Sequence, residues 1–151
     1  MADAAPTTPR QILIDTDPGI DDAMALLFLR AISSIRIAAI TTVFGNSEVA
    51  TTTRNACYLA ERFGINAPVF AGADRPLRAE RLASPVHVHG RNGLGDVPIP
   101  ERMIRRPAAG QAHERMVELI RPSCWPADTA AAAATNTATI AAACVRRIAT
   151  F

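Results

Sequence analysis

The sequence predicts an α/β fold: an open, mostly parallel sheet with crossover helices. Short apolar runs alternate along the chain with longer segments in which apolar residues recur at helical spacing. The run at residues 35–43 is rich in β-branched residues and nearly continuous in apolar character, which is typical of a strand buried on both faces. The order strand, helix, strand, helix, strand indicates parallel strands joined by helices.

Local signals bound each predicted element. The apolar run at residues 12–14 predicts the first strand, and Pro18-Gly19 predicts the turn that ends it. We expect the first helix over residues 21–32, because acids occupy its first turn and Arg30 lies near its end, as the helix dipole favours. The later predicted elements are a strand at 35–43, a helix capped by Ser47 and running to Phe63, a strand at 67–71 and a helix at 111–121.

Four carboxylates surround the predicted first turn: Asp15, Asp17, Asp21 and Asp22. Two unit charges about 4 Å apart repel one another by roughly 4 kcal/mol at an effective dielectric constant of about 20. A helix N-terminus offsets roughly 0.3–1 kcal/mol per acid, whereas a hard divalent cation bound by carboxylate oxygens offsets far more. Helix capping is the alternative explanation, and it accounts for one or two of the acids. The cluster therefore predicts a metal site.

A second polar group follows the next predicted strand. Asn46 lies a few residues after that strand, as Asp15 and Asp17 do after the first. The carboxyl ends of parallel strands meet at one edge of a sheet, and ligands bind there. We therefore expect Asn46 to lie near the acids, although asparagine also commonly fills turns without any further function.

The long connection at residues 73–107 holds another candidate, because loops of this length are usually functional or disordered. It contains His87 and His89, which precede a glycine-rich stretch. A histidine titrates near neutral pH and can exchange a proton with a ligand. The alternative is that both histidines are ordinary surface residues.

Size and composition exclude several classes of protein. The chain of 151 residues suffices for one domain with a core, and 49% hydrophobic with 20% charged residues indicates a globular protein. A net charge of +2 without a dense basic run gives no reason to expect a nucleic-acid partner. No apolar run is long enough for a membrane span. The three cysteines match no zinc or disulfide pattern, and no signal peptide is recognisable, so we expect a cytoplasmic protein.

Three stretches resemble motifs of the inosine-uridine preferring nucleoside hydrolase family. They are DTDPGIDDA at residues 15–23, TTVFGN at 41–46 and VHG at 88–90. The resemblance implies the N-terminal portion of a doubly wound fold and hydrolysis of the N-glycosidic bond of ribonucleosides to ribose and free base. It also implies a bound Ca²⁺, a small-molecule nucleoside as substrate and a homo-oligomer.

The resemblance also implies a role for each acid. Asp17 corresponds to a calcium ligand that is also the general base, and Asp22 corresponds to a second calcium ligand. Asp15 corresponds to a supporting acid at the metal site, as ligand or behind the ligands. Asp21 corresponds to the group that hydrogen-bonds the ribose hydroxyls.

Two further side chains receive roles in the same way. Asn46 corresponds to the asparagine that contacts the ribose or the attacking water. His89 corresponds to the histidine near the base, and His87 competes for that assignment.

The resemblance covers roughly residues 10–120 and divides the chain into three parts. They are a flexible tail at 1–10, an incomplete nucleoside hydrolase-like α/β domain at 11–121 and an atypical Ala/Thr-rich tail at 122–151. Family members continue with further sugar-binding and calcium-binding residues that we do not recognise here. We therefore expect weak calcium binding and little or no turnover. A frameshift near residue 121 is one hypothesis for the abrupt change in composition.

Two other functions fit part of the pattern. One is a non-catalytic fragment that keeps partial binding of calcium or ribose. The other is a haloacid-dehalogenase-type phosphohydrolase, in which Asp15 and Asp17 would be nucleophile and acid beside magnesium. The threonine expected two places after the second acid is absent, and the chain has no lysine to contact a phosphate. The phosphohydrolase is therefore the weaker alternative.

Overall fold

The structure is a computed structural model that describes residues 9–124. It contains a three-stranded sheet in the order β1-β2-β3, in which both neighbouring pairs are parallel. The strands are β1 Arg10–Thr16, β2 Ile35–Thr42 and β3 Val69–Phe70. The predicted α/β class with parallel strands and crossover helices is confirmed. Both predicted tails, at 1–10 and 122–151, lie mostly outside the described residues.

The helices follow the strands in the predicted order. They are α1 Ile20–Ala31, α2 Val49–Arg62, the short α3 Val86–His89 and α4 Ala112–Cys124, with a 3-10 turn at Glu101–Met103. The connection at 73–107 therefore holds short regular elements. The last helix continues past the domain boundary predicted at residue 121. Among residues 9–124, no helix is both long and apolar enough to cross a bilayer.

Two boundary predictions are wrong in ways that matter for the site. Ser47 does not cap α2: the residue at the N-cap is Glu48, and no side chain caps this end. Ser47 is instead buried, and its carbonyl accepts a hydrogen bond from Gly45 N–H at 3.0 Å. The first strand is longer than predicted, so Asp15 lies within β1 rather than after it.

The third strand, Val69–Phe70, is shorter than the strand predicted at residues 67–71. Val69 and Phe70 pair with β2, and the Pro68 carbonyl before them also accepts a hydrogen bond from Ile40 N–H at 2.9 Å. The carbonyl of Ala71 accepts a hydrogen bond from Ala112 N–H at 3.0 Å, at the start of α4. Ala71, the one predicted strand residue beyond Phe70, therefore ties α4 to the sheet.

The core lies on both faces of the sheet, as side-chain alternation along a strand requires. On one face, Ile12 and Ile14 pack in a cluster with residues of α1 and α2, including Leu26. On the other face, Leu13 packs with Phe70 and the first turn of α4. The two faces thus hold α1 and α2 on one side and α4 on the other.

Replacing Ile40 with alanine is expected to lower the free energy of unfolding by about 2–5 kcal/mol. Ile40 lies at the centre of β2, is fully buried and belongs to the larger cluster, so alanine leaves a cavity there. Urea unfolding followed by circular dichroism measures the loss. Leu77→Ala is the matched control, because Leu77 is fully exposed and its truncation should change stability little. Equal losses in both variants would contradict the assigned core.

An edge of the sheet and an apolar helix surface remain uncovered among the described residues, as expected for an incomplete sheet. Strand β1 pairs with β2 alone. Met24 and Phe28 on α1 are 63% and 68% exposed.

Candidate functional site

The turn between β1 and α1 lies at the carboxyl end of the sheet and carries Asp17. Asn46, just after β2, holds this acid by two hydrogen bonds. Asn46 N–H donates to Asp17 Oδ2 at 2.7 Å, and Asn46 Nδ2 donates to the Asp17 carbonyl at 2.9 Å. These residues were expected to lie together because parallel strands end at one edge of a sheet, and they are in direct contact. Asn46 is itself buried, which restricts its side chain and keeps it in contact with Asp17.

Asp22 joins the same group from the first turn of α1. Its Oδ2 accepts a hydrogen bond from Gly19 N–H at 2.9 Å, which is one half of a helix capping box. Its Oδ1 accepts from Thr16 Oγ1 at 2.7 Å, and Asn46 Nδ2 lies 3.4 Å from Oδ2. Asp22 therefore caps the helix, as the alternative explanation held, and is also joined through Asn46 to Asp17.

Asp15 takes a different position, inside the sheet. Its register partner on β2 is Thr41, whose Oγ1 donates to Asp15 Oδ1 at 2.7 Å. Burial raises the pKa of Asp15 above its usual value of 3.8, and the hydrogen bond from Thr41 opposes part of that rise. Asp15 thus lies within the sheet, where Thr41 holds its carboxyl group, and not in the turn that carries Asp17.

The raised pKa of Asp15 predicts how stability depends on pH in the metal-free protein. Above pH 3.8 the folded state keeps this proton more readily than the unfolded state does. Stability therefore falls as the pH rises through the folded pKa, and the ionised carboxylate destabilises the fold at neutral pH. We expect Asp15→Asn, which can still accept from Thr41, to raise the melting temperature at neutral pH and to flatten its pH dependence.

Thermal melts at several pH values check this expectation. Thr41→Val is the complementary variant, because it removes the hydrogen bond that favours the ionised form and should lower stability at neutral pH. A lower melting temperature for Asp15→Asn at neutral pH would contradict the stated balance of burial and hydrogen bonding.

His89 occupies the last turn of α3 and is 1% exposed, so it is not a surface residue. Its Nδ1 accepts a hydrogen bond from Ile20 N–H, at the N-terminus of α1, at 3.3 Å. Asp21 Oδ1 lies 3.8 Å from the same nitrogen and could pair with it only if the ring were protonated. The backbone contact orients the ring, because Asp21 is half-exposed and 3.8 Å exceeds hydrogen-bond length. With Nδ1 as the acceptor, Nε2 is the ring nitrogen that carries a proton. His87 is exposed on the same short helix.

Two glycines allow these side chains to approach the backbone. A Cβ on Gly45 would lie 2.1 Å from Asp17 Oδ2. A Cβ on Gly19 would lie 2.6 Å from His89 Nδ1 and 2.7 Å from Asn46 Nδ2. The absence of a side chain at both positions therefore brings the acid turn, Asn46 and His89 into one group.

The loop after His89 is tightly hydrogen-bonded. Asp96 Oδ1 accepts from the N–H groups of Arg91 and Asn92 at 2.7 and 3.2 Å. Asn92 Oδ1 accepts from Leu94 N–H and Asp96 N–H at 2.8 and 2.9 Å. Gly95 N–H closes the loop onto the His89 carbonyl at 2.7 Å. These bonds give the residues after His89 a defined shape.

Sequence reasoning missed three buried polar residues that support the site: Thr16, Thr41 and Asn55. The first two bond to Asp22 and Asp15, and the third bonds to the loop after His89. Asn55 offered a signal, because it shares a helical face with Thr52, Ala56 and Leu59, where an apolar residue is expected.

The donor set suits a hard cation, although it is small. Asp17 and Asp22 supply carboxylate oxygens, the ligands that Ca²⁺ prefers. Within residues 9–124, no three His, Cys, Asp or Glu side chains form a group that could hold a metal ion. The described part of the chain therefore offers a cation two carboxylates, Asp17 and Asp22, and both are hydrogen-bonded to Asn46.

Two cavities lie away from this group. One, of about 420 Å³, lies between Leu29 and Ile65, at the opposite end of the sheet. The other, of about 370 Å³, lies beside α2 and Cys57. Neither is lined by the acids, so chemistry and not cavity size identifies the candidate site. Cys57 is fully buried, and burial raises the pKa of its thiol, as suits a small core residue.

The family model of the inosine-uridine preferring nucleoside hydrolases matches residues 12–148. This match continues beyond residue 121, into the segment predicted to be an atypical tail. The inosine-uridine preferring nucleoside hydrolase of Crithidia fasciculata is 37% identical over 113 residues, which are 74% of this chain and 36% of that protein. Uridine nucleosidase 1 of Arabidopsis thaliana is 45% identical over 91 residues, 60% of this chain and 27% of its own.

Solved structures agree with the sequence matches. An inosine-guanosine nucleoside hydrolase has a TM-score of 0.68 and 31% identity, covering 79% of this chain and 36% of its own. A plant nucleoside hydrolase has a TM-score of 0.67 and 36% identity, covering 76% and 36%. The chain thus spans about a third of the length of the relatives it matches.

Proposed function

Because the chain belongs to the inosine-uridine preferring nucleoside hydrolase family, we propose that its acid cluster binds ribonucleosides and hydrolyses their N-glycosidic bond, giving ribose and free base. One observation carries the proposal. Asn46 joins Asp17 and Asp22 by hydrogen bonds at the carboxyl end of the sheet, with His89 buried beside them. Ligands bind at this edge of parallel sheets.

Asp17 is the proton acceptor in this proposal. Departure of the base leaves a ribosyl centre with oxocarbenium character, and water attacks that centre. A carboxylate held in place can take the proton from that water. The bonds from Asn46 support this role, because they fix the acid without neutralising its charge.

Asp21 and His89 contact the substrate on either side of the scissile bond. Asp21 is half-exposed at the start of α1, where it can accept hydrogen bonds from the ribose hydroxyls. His89 has its Nδ1 turned to Ile20 N–H, so Nε2 is the nitrogen that can donate to the leaving base. A proton donated there stabilises the charge that develops on the base.

Ca²⁺ is the cofactor in this proposal, and Asp17 and Asp22 would hold it. A bound Ca²⁺ would orient the attacking water and lower its pKa. Asp15 takes the supporting position, because its carboxylate accepts from Thr41 inside the sheet. Ca²⁺ usually takes 6–8 oxygen ligands. Two carboxylates from residues 9–124 therefore predict weak binding and slow turnover by this chain.

The substrate is a small-molecule nucleoside with a purine or pyrimidine base. Relatives carry names that include inosine, guanosine and uridine, which supports testing both classes of base. A cytoplasmic location and a homo-oligomer belong to the same proposal, and sedimentation velocity of the purified chain tests the second.

The experiment is product analysis after incubation of the full chain with inosine or uridine and Ca²⁺. We expect slow appearance of free base and ribose without any requirement for phosphate. Calcium binding without products would favour the non-catalytic fragment. Release of phosphate from an aryl phosphate in the presence of magnesium would favour the haloacid-dehalogenase alternative and contradict the proposal.

A further inference from the structure

The acid turn and the His89 loop are far apart in the chain, and one buried side chain contacts both of them. Asn55 lies on α2 and is fully buried. Its Nδ2 donates to the Asn92 carbonyl at 2.9 Å and to the Pro18 carbonyl at 3.4 Å. Pro18 belongs to the acid turn, and Asn92 belongs to the loop after His89. Asn55 therefore connects two segments that are both in the candidate site.

The orientation of this amide follows from its partners. Both of them are carbonyl oxygens, so the NH₂ group must face them and the oxygen must face away. Asn55 Oδ1 is buried and has no hydrogen-bond partner among the described residues. A buried acceptor without a partner costs free energy that leucine, a side chain of similar size, would avoid. Packing therefore does not explain an asparagine at this position, whereas the hydrogen bonds from its NH₂ group to the Pro18 and Asn92 carbonyls do.

The loop lies directly against Asn55. Gly93 has a φ of +78°, and a Cβ there would lie 2.8 Å from Asn55 Nδ2 and 3.1 Å from Ser47 Oγ. The next residue, Leu94, is buried in the larger core cluster. A glycine is thus needed for the backbone to come within hydrogen-bonding distance of this amide.

We propose that Asn55 is a positioning residue that holds the His89 loop against the acid turn. Gly95 N–H bonds to the His89 carbonyl, and His89 Nδ1 accepts from Ile20 N–H. A loop that leaves Asn55 therefore carries His89 away from the N-terminus of α1. The importance of this position for catalysis rests on the proposed function, whereas the coupling of loop and turn does not.

Amide hydrogen exchange of the full chain, read residue by residue by NMR, tests the coupling. In Asn55→Leu we expect protection of Leu94 and Gly95 to fall about tenfold, as for the loss of one or two ordinary hydrogen bonds. The imidazole ¹⁵N signal of His89 should shift in the same variant. The amide of Ile40 bonds to Pro68 in the sheet. Its protection should fall no more in Asn55→Leu than in the control variant Thr53→Val.

Thr53→Val is the matched control, because Thr53 is a buried polar residue on the same helix. Its hydroxyl pairs with Thr42 Oγ1 on β2 at 2.7 Å, away from the two carbonyls that Asn55 holds. Its loss should lower global stability without a local loss at Leu94 and Gly95. Gly93→Ala disturbs the contact between the loop and Asn55 from the loop side. It should lower the protection of Leu94 and Gly95 although Asn55 is unchanged.

The outcomes separate the two proposals. Equal loss of protection at Ile40 and Gly95 in Asn55→Leu would show a purely structural residue and overturn the inference. Unchanged protection at Leu94 and Gly95 would overturn it as well. A wild-type chain that forms no product would count against the proposed hydrolysis and would leave the exchange result standing.

Discussion

Replacing Asp17 with asparagine is expected to lower the rate of ribose release by roughly 10²–10⁴-fold, the usual contribution of a general base. The substitution preserves the size and shape of the side chain. Its Oδ1 can still accept the hydrogen bond from Asn46 N–H that Asp17 Oδ2 accepts now. The variant loses only the negative charge that takes the proton and attracts the cation. A coupled assay for free ribose measures the rate.

The control separates this effect from a general change of surface charge. Asp74→Asn removes one acid that is 66% exposed and whose Oδ1 lies 3.3 Å from Nε of its neighbour Arg75. It should leave both the rate and the melting temperature close to those of the wild type. An Asp17→Asn variant that folds normally and releases ribose at the wild-type rate would refute the role given to Asp17.

Replacing Gly45 with alanine is expected to weaken calcium binding by roughly 10–100-fold, as do other substitutions at positions that contact and orient a metal ligand. The added Cβ would lie 2.1 Å from Asp17 Oδ2 and 3.2 Å from Asp17 Cβ. The carboxylate must move, and it can do so by rotating its side chain. The fold should therefore lose little stability while the ligand leaves its position. Isothermal titration with CaCl₂ measures the affinity.

Gly64→Ala is the control for this experiment. Gly64 has a φ of +63°, follows α2 at the far end of the sheet and has no atom within 4 Å of an added Cβ. Alanine there strains the backbone and lowers stability without approaching the acids. If Gly45→Ala bound calcium as tightly as Gly64→Ala, the position assigned to Asp17 would be wrong.

The order of elements was predictable because local patterns decide it. The β-branched run of β2 and the acids at the start of α1 each carry a signal within a few residues. The proximity of Asn46 to Asp17 also followed, since parallel strands end at one edge. A short-range pattern therefore sufficed for the fold class and for the place of the site.

The contacts that support the site depend on tertiary packing, and the sequence pattern did not reveal them. Asp15 was expected after the first strand, and the pairing of Arg10–Thr16 with β2 draws it into the sheet beside Thr41. His89 was expected in a loop, and a single helical turn buries it. Asn55 belongs to no recognisable motif. Its partners are backbone carbonyls 37 residues away on either side, so no local pattern predicts these hydrogen bonds.

The most direct test is ribose release from inosine and uridine by the full chain, with Ca²⁺, with a chelator, and with Ca²⁺ restored. We expect slow release with calcium, none with the chelator and recovery when calcium returns. The Asp17→Asn variant should stay inactive in all three conditions. Release that persists in the chelator, or a folded, calcium-bound chain that releases no ribose from either nucleoside, would contradict the account.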